Sequence, residues 1–117
     1  MVDVSKDMDE RLVTIKRYIR KAQLQTNLVE NPEIGRHGEI AVDVTGISED
    51  IREFLSLALV AAKDVPPIDR MIDEIIRVWK GQMPFRKIAD LEHFSGWLVG
   101  CTFSTISVID LYLEASQ

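Results

Sequence analysis

Apolar residues recur near the start of the chain in alternating steps of four and three: Met8, Leu12, Ile15, Ile19 and Ala22, continued in register by Thr26. That spacing draws a narrow seam along a helix, closer to a bundle stripe than to a broad amphipathic face. It predicts a first helix over about Lys6 to Glu30, with Ser5 as N-cap and Asp7, Asp9 and Glu10 favourably placed against the helix dipole. Asn31-Pro32 ends it, because proline disfavours helix in the residue before it.

The period then changes. Ile40, Val42 and Val44 alternate with Glu39, Ala41, Asp43 and Thr45, the two-residue repeat of a half-buried strand. Gly35 and Gly38 bracket a turn at Arg36-His37, and Ile34 falls where a facing strand would stand. A short hairpin or a single strand over about 34–45 is the expectation.

Helical spacing returns after Ser48, a second candidate N-cap. Ile51, Phe54, Leu55, Ala58 and Ala62 make one stripe, and Leu57, Leu59 and Val60 carry apolar character nearly all round. Such a helix has to be covered on most sides. A third helix from Ile68 to Lys80 is the cleanest amphipath. Ile68, Met71, Ile72, Ile75 and Trp79 line one side; Asp69, Arg70, Asp73, Glu74, Arg77 and Lys80 line the other. Pro67 suits its first position and Gly81 its C′ position. A fourth helix starts by about Arg86 and reaches about Leu113, with a break considered near Ser95-Gly96. The fold expected is mainly α: one domain over residues 1–117, an antiparallel bundle of four to five helices with the small β element.

Size and composition agree with this picture. At 117 residues, 46% hydrophobic and 28% charged, the chain is long enough for one core without disulfides or a structural metal. Cys101 is the only cysteine and is expected to be a buried, inert thiol. The first residues have neither the basic start nor the apolar run of a signal peptide, so a cytoplasmic location is expected.

The uncharged run from Phe94 to Ile109 raises the question of a membrane span. Sixteen helical residues cover about 24 Å, against roughly 30 Å of hydrocarbon. Five of them are Ser or Thr, and no span is expected. Inside the run Gly96, Gly100 and Ser104 repeat every four residues, with Ser107 on the same side. Small residues in a row let another backbone come close. Tight packing within the monomer explains such a stripe, and so does a subunit interface. Gly96, Gly100, Ser104, Ser107, Trp97 and Phe103 are the candidate interface residues, and a homo-oligomer, with a dimer favoured, is the expected state.

Net charge is −5, which disfavours nucleic acid and anionic surfaces unless the bases are concentrated in one place. Lys16, Arg17, Arg20 and Lys21 lie opposite the seam of the first helix and form the one candidate anion-binding or partner-binding stripe. No aromatic residues interleave with them to stack bases, so nucleic acid is not the expected partner.

Arg86, Asp90 and His93 follow at steps of four and three and are candidate ligand or metal residues. The Asp90–His93 spacing is that of helical di-iron sites, but such sites need it twice. His37, with Glu33 and Glu39 nearby, is the second histidine. The sequence contains no Gly-x-Ser-x-Gly, no Walker loop and no dinucleotide fingerprint. No metal or cofactor is therefore expected. The functional expectation is a non-enzymatic, oligomerising interaction, adaptor or regulatory module. The alternative is a small helical enzyme or ligand-binding domain, and nucleic-acid binding through the first helix is the weaker third.

Overall fold

The computed structural model describes residues 4–30, 33–34, 40–41 and 43–115. Among these, four helices carry the fold: α1 (Val4–Glu30), α2 (Val44–Ala61), α3 (Ile68–Gln82) and α4 (Ile88–Ala115). The seam read from the sequence is the buried face of α1, with Leu12, Ile15, Ile19, Ala22 and Thr26 all buried and Met8 packed at the edge of the core. Ser5 lies inside α1 rather than capping it.

Cross-helix contacts fix the directions. Arg11 meets Ala61 while Lys21 meets Phe54, so α1 and α2 run antiparallel. Lys16 meets Asp110 while Gln23 meets Thr102, so α1 and α4 do too. The start of α2 meets the end of α3, where the indole Nε1 of Trp79 donates to the Ser48 carbonyl at 3.1 Å. The chain is thus mainly helical, a bundle in which α1 and α3 each pack against both α2 and α4.

Residues 43–45 depart from the expected strand. Asp43 caps α2, its Oδ1 accepting from the Gly46 backbone N–H at 2.9 Å, so Val44 and Thr45 are already helical. An aspartate placed to satisfy a free N–H outweighs the weak strand preference of two β-branched residues. Ser48 is consequently buried within the helix, its hydroxyl donating to the Thr45 carbonyl. Among the described residues the β element amounts to Glu33–Ile34 paired with Ile40–Ala41 in a two-residue antiparallel ladder, too little to be called a β-hairpin. The Arg36-His37 turn falls outside the described residues.

Two connections complete the core. After α2, Asp64 takes a left-handed conformation (φ 62°), which aspartate tolerates better than most residues, and Val65 turns inward. The Arg11 guanidinium donates to the carbonyls of Ala61 and Lys63, covering the C-terminal end of α2, and the Tyr112 hydroxyl donates to the Pro66 carbonyl. After α3, which passes Gly81 and ends at Gln82, Phe85 inserts beside Trp79 with ring centroids 4.9 Å apart. Phe94 stacks on from there, and α4 continues unbroken through Ser95-Gly96.

Candidate interaction surface

What α4 buries and what it leaves open follow from its 28 residues taken 100° at a time. Leu91, Ser95, Leu98, Thr102, Thr105, Ile106 and Ile109 form the inward face. Gly96, Gly100, Ser104 and Ser107 lie on the opposite side and are exposed. A Cβ built on Gly96 or Gly100 meets nothing within 4 Å. Among the described residues nothing packs on the stripe, so tight packing against them does not account for it. The bundle is closed by α1 and α3 on the other flank, where larger side chains do the packing.

The rest of the stripe is chemically quiet. The Ser107 hydroxyl donates to the Phe103 carbonyl at 3.0 Å and the Ser104 hydroxyl to the Gly100 carbonyl at 3.4 Å. Hydroxyls turned back on their own helix present little unmet polarity to a neighbour. Phe103 stands at one border, 51% exposed, and half-buried Trp97 at the other, its ring edge-on to Phe94. Leu111 extends the open face toward the C-terminal end.

By length and composition α4 is long and apolar enough to cross a membrane, and 28% of its most apolar window is buried in the bundle. The sixteen uncharged residues are too short to cross a bilayer, but the helix runs beyond them at both ends. Buried core helices meet the same criterion, so it does not by itself place α4 in a bilayer.

The four bases of α1 do not form one free stripe. Lys16 is tied to Asp110 at 2.7 Å, a half-exposed pair that joins α1 to α4. The Arg20 guanidinium lies 6.0 Å from the centre of the Phe103 ring. Lys21 sits over Tyr18 and Phe54. Arg17 is exposed on the crest between them. Beside this region a shallow cleft of about 280 Å³ runs between α1 and α4, lined by Arg20, Gln23, Leu24, Asn27, Val99 and Phe103. Sequence reasoning missed the cleft, since nothing in either helix alone shows that residues near 24 and 100 are neighbours.

Arg86, Asp90 and His93 are all exposed at the N-terminal end of α4, and His93 makes an edge contact with Phe94. None of them lines the α1–α4 cleft or the two clefts flanking Val60. Among the described residues no three of His, Cys, Asp and Glu are grouped to hold a metal ion. His37, Glu33 and Glu39 cannot be placed, since the side chains of that segment lie outside the described residues.

Cys101 is half-buried, and burial pushes its thiol above the ordinary range, which keeps it protonated and weakly nucleophilic near neutrality. No family model, curated protein or solved structure matches the chain.

Proposed function

We propose that the protein is a non-enzymatic, self-associating helical module whose subunits meet through the open face of α4. The observation that carries this reading is the empty space outside Gly96 and Gly100. A helix costs about 1 kcal/mol in propensity for each glycine it holds in place of alanine. Two such positions on a face that packs against none of the described residues make physical sense if another backbone lies there. Gly96, Gly100, Ser104 and Ser107 form the floor of that contact, with Trp97 and Phe103 as its walls. A face shared by identical subunits is self-complementary about a two-fold axis, and a dimer is the simplest closed form.

Light scattering across a range of concentrations tests the reading directly. The wild-type chain is expected to form a dimer, and Gly100→Leu to weaken it at least tenfold while the helical signal and melting temperature of the monomer hold or rise. A monomer at every concentration, or a dimer indifferent to Gly100→Leu, overturns it.

A further inference from the structure

The sequence is acidic overall, yet no Asp or Glu occurs between Glu10 and Glu30, while Arg11, Lys16, Arg17, Arg20 and Lys21 all fall there. Arg11 is turned toward the end of α2 and Lys16 toward Asp110, which leaves Arg17, Arg20 and Lys21 on the outer side of α1. The same side exposes Val13, Leu28 and, at 62%, Leu24. Arg20 reaches across to Phe103, and the cleft lined by Arg20, Leu24, Val99 and Phe103 makes the two helices one continuous surface. On the α4 side there is no charge from Phe94 to Ile109. Asp110, which closes that run, is paired with Lys16.

A helix face that carries bases together with exposed Val13, Leu24 and Leu28 fits a partner that is anionic and apolar at once. Anionic bilayers have that chemistry: a negative headgroup layer over hydrocarbon, into which leucine side chains dip while arginines stay at headgroup level. We infer that the outer face of α1 docks peripherally on an anionic lipid surface. An acidic amphipathic protein segment has similar charge. The bilayer is favoured because the exposed Val13, Leu24 and Leu28 share the outer side of a single helix with Arg17, Arg20 and Lys21, the layout of a helix that lies in the headgroup layer.

Flotation of the full chain with phosphatidylcholine vesicles, with and without about 30% phosphatidylserine, tests this. Binding is expected only to the anionic vesicles, and is expected to fall away in high salt. Each base near such a surface is worth about a fivefold change in affinity, so Arg17→Gln, Arg20→Gln and Lys21→Gln together should weaken binding by about 100-fold. Leu24→Gln with Leu28→Gln, which leaves every charge in place, should weaken it by about tenfold. Absence of binding to anionic vesicles at low salt, equal binding to neutral ones, or indifference to both α1 variants would overturn the inference. So would capture of an acidic amphipathic peptide without vesicle binding, or retention on membranes through alkaline carbonate extraction. Arg20 and Leu24 adjoin Phe103, a wall of the proposed subunit contact, so light scattering on Arg17→Gln with Lys21→Gln, which lie away from it, separates this surface from the self-association.

Discussion

The Gln23 side-chain amide donates to the Thr102 hydroxyl at 2.8 Å, across the interface of α1 and α4, where both side chains are buried. Thr102 in turn donates within its own helix, its hydroxyl 2.7 Å from the Leu98 carbonyl and 3.0 Å from that of Val99. The pair is a small polar island in an otherwise apolar seam, and its geometry holds the register of two long helices.

Thr102→Val preserves shape while leaving a buried amide without its acceptor. A stranded polar group of this kind costs about 1–3 kcal/mol, more than the bond itself contributes. Gln23→Leu in the same chain removes the stranded amide and should recover much of that loss. Urea denaturation of the four chains of this cycle measures the coupling. Additive losses would show that the two residues act independently.

Ser95 presents the opposite case. Its hydroxyl is buried at the base of α4 and has no hydrogen-bond partner among the described residues. Ser95→Ala removes a desolvated group and improves helix propensity, so stability should rise by about 1 kcal/mol. Thermal unfolding reads the change. A fall in melting temperature would mean that the hydroxyl is satisfied after all.

The elements that were legible in the sequence are those whose signal is local and periodic. The seam Leu12-Ile15-Ile19-Ala22 and the face Ile68-Ile72-Ile75-Trp79 need no knowledge of a partner, because burial on one side imposes the period. The start of α2 was not legible. Val44 and Thr45 favour strand, and only the Asp43 carboxylate, bonded three residues ahead, tips them into helix. Gly81 misled for a related reason: it reads as a stop, but α3 runs one residue beyond it.

Pairings between distant positions were beyond the sequence altogether. The bases of α1 could be counted, but not that Lys16 serves Asp110 and Arg11 the end of α2, since those partners are set by how the helices pack. The same holds for the small-residue stripe. Its spacing was plain, and which way it faces depended on where α1 and α3 dock. Ile88, Phe103 and Leu111 likewise look like core by type, and are exposed because no fifth element lies over them among the described residues.

Two glycines should respond to alanine in opposite directions. A methyl on Gly46 overlaps the Asp43 carboxylate that caps α2, so Gly46→Ala must displace the cap and should cost about 1 kcal/mol. Gly100→Ala adds its methyl to open space and should stabilise the monomer by about as much. Denaturant melts at concentrations where the chain is monomeric measure both. Equal responses would contradict the assigned surroundings.

Cys101 gives the fold a mild alkaline sensitivity. Burial raises the thiol above its ordinary value in the folded chain, whereas the unfolded chain titrates normally. As pH rises past the ordinary thiol range the unfolded state loses its proton first, so it binds fewer protons than the native state and stability falls with pH. Below that range both states are protonated and the group contributes no slope. The wild-type chain should therefore lose stability through the alkaline window faster than Cys101→Ala does. Alkylation by iodoacetamide should also be slower than for a free cysteine at pH 8, with the gap narrowing as pH increases. A thiol that reacts as fast as free cysteine at pH 8 would show that it is neither shielded nor shifted, and the difference between the two stability profiles should then vanish as well.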